Sequence, residues 1–399
     1  GKGQNYVLSF TGDDFTITPA SLTVSADSKT KVYGDLDPKL TYNVTGLKNG
    51  DSQAEVLNGG ALVRAPGENV GDYAIGQGEL GLGEGKGSNY VLSFVDGNLA
   101  ITPATLTVEA QDKSKVYGDA DPTLTYVVSG LKNGDSAASV VGGELTREAG
   151  ENVGNYGIIN DSLALLSNNY VLQFHDGVFS ITPAELTVTA NDQSKVYGDA
   201  DPKLTFEVSG LKRGDTATSV LNAGTLERDA GENVGQYGVH QGTLDLNGQA
   251  GQNYVLHYVD GDFYITPATL TVDADGKTKV YGDFDPALTY SVSGLKNGDA
   301  RADVLAGALS RAEGENVGTY AIGQGSLDLT SGKGQNYVLS FTGDDFTITP
   351  ASLIVTADST TKVYGDLDPK LTYSVAGLKN GDSQTEVLNG GALSRAPGE

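Results

Sequence analysis

The sequence predicts an all-β protein made of small two-sheet domains in tandem, and three observations carry that expectation. The stretch Lys-Val-Tyr-Gly-Asp-x-Asp-Pro, first seen from Lys31 to Pro38, occurs five times, with tyrosines at Tyr33, Tyr117, Tyr197, Tyr281 and Tyr364. The gaps of 84, 80, 84 and 83 residues mark an array of structural repeats. Between turn residues, apolar and polar side chains alternate with a period of two, as in half-buried strands. All 12 prolines fall in this motif, in Ile-Thr-Pro or in Ala-Pro-Gly-Glu, so the breaks recur with the period.

The elements of one repeat follow in order. Leu22 to Ala26 reads as a strand, since its Leu, Val and Ala return at every second position in each copy while the residues between them vary. After the Val-Tyr-Gly-Asp turn, Leu40 to Thr45 reads as a second strand with Leu, Tyr and Val inward. Its outward site holds Asn43, Val127, Glu207, Ser291 and Ser374, a free variation that points to a surface without a common ligand. Gly46 to Asp51 is a turn, and Asp51 to Leu57 predicts one or two helical turns capped by the aspartate. Ala61 to Arg64 and Gly71 to Ile75 are further strands. Asn89 to Phe94 and Leu99 to Thr102 flank Asp96-Gly97, a hairpin signal. The joint to the next repeat is Ile101-Thr102-Pro103-Ala104, with counterparts at Pro19, Pro183, Pro267 and Pro350. It has no Gly/Ser spacer, and proline holds itself and the preceding threonine extended. A stiff, end-to-end arrangement is expected, each repeat adding roughly 30 to 40 Å.

These boundaries divide the chain into residues 1–19, the C-terminal hairpin of a truncated repeat; repeats 1 to 4 at 20–103, 104–183, 184–267 and 268–350; and 351–399, the N-terminal half of another. Residues 332–399 match 1–68 at all but seven positions, so four repeats form a higher-order unit and the chain reads as an excerpt from a longer one. The architecture expected is an immunoglobulin-like β-sandwich, with a β-grasp-like sheet covering the short helix as the alternative.

Composition narrows the function. An apolar content of 38% supports packed cores, and the 55 glycines show no tripeptide period, so collagen and disorder do not fit. A net charge of −25 disfavours nucleic acid and anionic membranes as partners. No run of 18 apolar residues and no leader is present, so membrane insertion of this segment is not expected. Absence of cysteine removes disulfides and thiolate metal sites.

The set Val-Tyr-Gly-Asp, Asp-Pro-x-Leu, Gly-Leu-x-x-Gly-Asp, Gly-Glu-Asn-Val-Gly-x-Tyr, Asn-Tyr-Val-Leu and Ile-Thr-Pro-Ala resembles the MBG and YDG repeats of filamentous-haemagglutinin-type bacterial surface adhesins. The resemblance covers the whole chain. It implies export, an extracellular or cell-surface location and a stalk role.

The sharpest chemical candidate is the carboxylate pair of the repeated motif: Asp35/Asp37, Asp119/Asp121, Asp199/Asp201, Asp283/Asp285 and Asp366/Asp368. Two hard oxygen donors in a turn suit Ca²⁺, with Asp51 or Glu68 assisting. The competing and preferred reading is a tight turn whose aspartates bond nearby backbone amides, without the frame of an EF-hand. A glycosidase pair needs an acid and a base facing each other across a cleft, which sequence neighbours in a turn do not provide. His175, His240 and His257 each stand where other copies carry something else, and read as surface residues. Lys31 and its counterparts Lys115, Lys195, Lys279 and Lys362 raise the idea of a Lys-Asn crosslink, but a solvated, outward lysine is expected. Most of the 20 tyrosines, such as Tyr42, Tyr73 and Tyr90, take core positions. Gly71-x-Tyr73-x-Ile75 resembles a tyrosine corner, in which the hydroxyl ties down a turn. No catalytic constellation appears, so no enzyme and no cofactor is expected. The function expected is a structural stalk or spacer of a secreted adhesin or matrix fibre. The rival is a repeated binding module for matrix polysaccharide or for homotypic contact with the same array on another cell, with Ca²⁺ as its candidate cofactor and lateral copies of the array as a further candidate partner.

Overall fold

A computed structural model of the chain describes residues 1–398. Its contacts form two units, Gly1–Ala184 with Gln252–Tyr254, and Glu185–Gly251 with the residues from Val255 onward. Strand accounts for 41% of the chain and helix for 9%, which places it in the all-β class as a series of repeated sheet units.

Repeat 1 shows the pattern. Its elements are β1 (Ala20–Ala26), β2 (Lys29–Val32), β3 (Tyr42–Thr45), α1 (Gln53–Val56), β4 (Val63–Arg64), β5 (Gly71–Gly76), a 3-10 turn (Lys86–Asn89), β6 (Tyr90–Val95) and β7 (Gly97–Thr102). They make two sheets, ordered β3-β1-β6 and β2-β7-β5-β4. Repeats 2 to 4 reproduce both orders. Pairs β1·β3, β4·β5 and β5·β7 are antiparallel, whereas β1·β6 and β2·β7 are parallel.

The parallel pairs share one register. Ala20 faces Tyr90 and Val32 faces Thr102, each 70 residues apart, so β1 and β2 behave as a single bent strand beside another made of β6 and β7. The bend passes from one sheet to the other at Asp27-Ser28 and Asp96. There Gly97 lies so close to the first strand that a Cβ on it would sit 2.9 Å from the Ala26 carbonyl oxygen. Asp96-Gly97 is therefore not the expected hairpin: β6 and β7 belong to different sheets and each pairs with the first strand. Its glycine provides room rather than a positive φ. Of the two architectures left open by the sequence, the parallel pairing of first and last strands accords with the β-grasp-like one, immunoglobulin sheets being antiparallel.

The first sheet, α1 and the loops beyond it enclose a core of Leu22, Val24, Val56, Leu57, Leu80 and Tyr90. The alternation seen in the sequence is the cause, because β1 turns Leu22 and Val24 inward, both wholly buried. Helix α1 is as short as expected. Its cap is Ser52 rather than Asp51, closed by a capping box in which the Ser52 amide donates to Glu55 at 2.9 Å. That contact and Lys86 hold the Glu55 carboxyl down at about 2. Asp51 instead accepts from the Tyr90 hydroxyl at 2.9 Å. Among the described residues no helix is long and apolar enough to cross a membrane.

Candidate functional site

The repeated motifs meet at the joint between consecutive repeats. Strand β7 ends at Thr102, Pro103 follows, and the next strand (Ala104–Ala110) starts at once, as the proline spacing predicts. Ala104 is 1% exposed. The core does not stop at this point: Tyr33 and Ile101 of repeat 1 pack in one cluster with Ala104, Leu106, Val108 and Tyr170 of repeat 2. In the second unit, Tyr197 and Ile265 likewise share a cluster with Ala268 and Tyr337.

Tyr33 is the plug of this joint. The turn after β2 closes through the Asp35 amide on the Val32 carbonyl at 3.0 Å, with Gly34 at φ +79°. It aims Tyr33 out of its own repeat. The ring meets that of Tyr170 edge-on at 5.4 Å and 76°, a geometry that adds about 1 kcal/mol beyond the burial itself. Its hydroxyl donates to Asp135 at 3.1 Å, and the same carboxylate accepts from Tyr170 at 2.7 Å. Burial, then the hydrogen bond to Asp135, pushes the Tyr170 hydroxyl up to about 12. Gly34 is required twice, by its positive φ and by the Lys132 side chain, which would lie 2.5 Å from an added Cβ. Lys132 in turn reaches Asp35 at 3.4 Å.

The same joint recurs within the second unit. Tyr197 donates to Asp299 at 3.0 Å, Tyr337 donates to it at 2.8 Å, and Lys296 pairs with Asp199 at 2.9 Å. Tyr281 donates to Asp382 at 3.1 Å, and Lys379 pairs with Asp283 at 3.2 Å. Burial works to raise the Asp299 carboxyl, but Lys333, Tyr337 and Tyr197 outweigh it and hold it below the usual range.

A second clasp lies beside the plug. The Val70 amide donates to the Asn169 side chain at 2.9 Å, and the Asn169 amide group donates to the Asn69 side chain at 2.9 Å. Val153 with Asn253 and Val234 with Asn336 repeat it, both at 2.8 Å. Tyr73 holds the Asn69 loop in place, its hydroxyl donating to the Asn69 carbonyl at 2.8 Å. Tyr156, Tyr237 and Tyr320 do the same, which is the tyrosine-corner role expected of them.

Behind the plug each repeat carries a closed ring of four charges. Lys31 pairs with Asp37 at 2.6 Å and Glu68 at 2.7 Å, while Arg64 pairs with Asp37 at 2.5 Å and with Glu68. The Lys31 side chain is 4% exposed, which corrects the expectation of a solvated lysine. Strand β2 turns it to the core face, and the two carboxylates satisfy its ammonium there. Burial alone pulls the Lys31 ammonium down, yet Asp37 and Glu68 reverse this and the net shift is upward. Arg64 and then Lys31 hold the Asp37 carboxyl below its usual range.

The aspartate pairs proposed for Ca²⁺ are thus placed individually. Asp37, Asp121, Asp201, Asp285 and Asp368 each bridge a lysine and an arginine of their own repeat. Asp35, Asp199 and Asp283 face a lysine of the following repeat. Asp119 and Asp366 close the corresponding turns through their backbone amides. Among the described residues no group of three or more His, Asp or Glu side chains is arranged to hold a metal ion. His175 and His257 are exposed, and His240 lies between Asp229 at 3.1 Å and Asp260 at 3.4 Å.

Sequence reasoning passed over Arg64 and its counterparts Arg147, Arg228, Arg311 and Arg395, although they recur in every copy. The signal available was recurrence, since a lysine, an aspartate, an arginine and a glutamate return in every copy as a balanced set of two cations and two anions. A family model for the MBG domain of the YGX type matches residues 22–100, 106–180, 186–264, 270–347 and 353–399. No curated protein matches the chain.

Proposed function

The chain belongs to the YGX-type MBG domain family, and from that premise we propose that it is a structural spacer of a bacterial surface or matrix protein. Its task on this reading is to hold adhesive parts at a distance, and it performs no catalysis. The observation that carries the proposal is where the recurring polar groups go. The tyrosine and first aspartate of Val-Tyr-Gly-Asp, the lysine and aspartate of Gly-Leu-Lys-x-Gly-Asp, and the asparagines of Gly-Glu-Asn-Val and Asn-Tyr-Val-Leu bond across the joint to the neighbouring repeat. A motif common to all copies is thereby accounted for without an external ligand. In such arrays stability is a sum of repeat and nearest-neighbour terms, and the joint supplies the second.

The outward sites support the same reading, since Asn43, Val127, Glu207 and Ser291 are all exposed and chemically unrelated. Small-angle scattering and rotary-shadowed images of the purified array test the proposal. An extended particle whose length grows in proportion to repeat number is expected. Saturable binding of the purified repeats to matrix polysaccharide would overturn it in favour of a binding module.

A further inference from the structure

We propose that each repeat is a shear clamp that carries tensile load along the chain. The inference rests on the spacer reading and adds to it a mechanical role that length alone does not require.

The argument is geometric. The chain enters repeat 1 at Ala20, the start of the first strand, and leaves at Thr102, the end of the last. These strands are neighbours and run parallel, paired from Ala20↔Tyr90 through Ser25↔Val95 and from Lys29↔Leu99 through Val32↔Thr102. Tension pulls Ala20 and Thr102 in opposite directions from the two ends of this bent ladder, so the two strands must slide past each other. Every bond of the ladder is then loaded together. Antiparallel terminal strands joined by a hairpin would be peeled apart one bond at a time.

The ladder is reinforced at the end where load leaves it. The Tyr33 amide donates to the Thr102 carbonyl at 2.9 Å, and the Thr102 hydroxyl donates to the Lys31 carbonyl at 3.2 Å. Tyr117, Tyr197 and Tyr281 bond Thr182, Thr266 and Thr349 in the same way at 2.8 Å. The matching threonine hydroxyls reach Lys115, Lys195 and Lys279 at 3.1 to 3.2 Å. Because Pro103 and Ala104 follow directly, no slack separates this end from the next repeat. The threonine of Ile-Thr-Pro thus gains a role that turn chemistry does not give it.

Single-molecule force spectroscopy on the full chain tests the clamp. The chain has no cysteine, so handles attach wherever one is introduced. Pulled from its ends, the protein should give one rupture per complete repeat, each releasing roughly 25 nm. Handles at Ser21→Cys and Ser93→Cys load the same ladder of repeat 1 from one end. That geometry should rupture repeat 1 at a force several-fold lower. Replacing Thr102, Thr182, Thr266 and Thr349 by valine together, with folding checked by circular dichroism, should lower the end-to-end force and leave the other geometry unchanged. Equal forces in the two geometries would overturn the clamp. The spacer reading would survive that result, because it stands on particle length.

Discussion

Residues 1–19 and 332–350 are identical in sequence and differ in structure. Both form the 3-10 turn, at Lys2–Asn5 and Lys333–Asn336. Beyond it, Tyr337–Thr342 and Asp344–Thr349 are strands, whereas residues 6–19 contain none. Phe346 and Ile348 are buried to 0% and 1% exposure, while Phe15 and Ile17 are exposed to 91% and 84%. The later copy lies parallel to Ala268–Ala274 and Lys277–Val280 and antiparallel to Gly318–Gly323. Among the described residues the earlier copy has no such neighbours. The turn is therefore a local property of the sequence, and the strands are a property of pairing at long range.

The other end of the repeat gives the converse. Tyr281, Leu288 and Leu309 cover Phe346 and Ile348 in repeat 4. Their counterparts Tyr364, Leu371 and Leu393 line an open cleft of about 750 Å³ in the segment 351–399. Tyr364 is 87% exposed against 5% for Tyr33. The cleft is the place that the last strand fills in a complete repeat.

The largest test of this contrast is a pair of matched substitutions. Phe346→Ala should destabilise repeat 4 by about 3–5 kcal/mol, the cost of emptying a buried aromatic site. Phe15→Ala, the same change in the same local sequence, should leave denaturant melting unaltered. Equal effects would mean that residues 1–19 are packed in solution, and the contrast between the copies would fail.

The buried charge ring supplies a second pair. Lys279 has a side chain 4% exposed and bridges Asp285 and Glu315, while Lys362 is 23% exposed and pairs with Asp368. Lys279→Ala should cost about 2 kcal/mol, as expected where bonds to charged groups are lost. Lys362→Ala should cost about 0.5 kcal/mol or less. The ring also fixes the response to acid. Its carboxylates Asp285 and Glu315 are held below their usual range, chiefly by Arg311 and by Lys279 respectively. Their contribution is present above the ordinary carboxylate range and is lost as pH falls through the lowered values. Urea midpoints measured from pH 6 downward should therefore fall less steeply in Lys279→Ala than in the unaltered protein.

What the sequence reveals follows the same division. The period, the strand positions, the proline joint and the tyrosine corner at Tyr73 are legible because each depends on residues close in the chain. The parallel pairing of β1 with β6 is not, since alternation shows which face of a strand is buried and not which strand lies beside it. Tyr33 is hidden for a further reason. In a tandem array a motif has the same spacing whether it touches its own repeat or the next, so Asp51 and Asp135 are indistinguishable as partners until the chain folds. The burial of Lys31 is hidden because Glu68, one of the two carboxylates that satisfy its ammonium, lies 37 residues away.

The joint tyrosine gives the smallest effect and the finest test of the contrast. Tyr197→Phe removes one hydroxyl from Asp299, which keeps Tyr337 and Lys333, so about 1 kcal/mol should be lost. The matching Tyr364→Phe removes an exposed hydroxyl and should change nothing. Alkaline titration reads the same contact without substitution. Burial, followed by the bond to Asp299, raises the Tyr337 hydroxyl to about 12. A raised value means that the joint is fully stabilised below pH 10, the ordinary range, and loses that contribution as pH rises through about 12. Tyrosinate absorbance should accordingly show a late-titrating group that coincides with loss of folded structure in repeat 4. In Tyr197→Phe the Asp299 carboxylate accepts from one fewer hydroxyl, and the late step should remain, because Tyr337 still donates to Asp299. Its disappearance would show that the raised value of Tyr337 depends on the Tyr197 hydroxyl, making the joint more tightly coupled than its separate bonds imply.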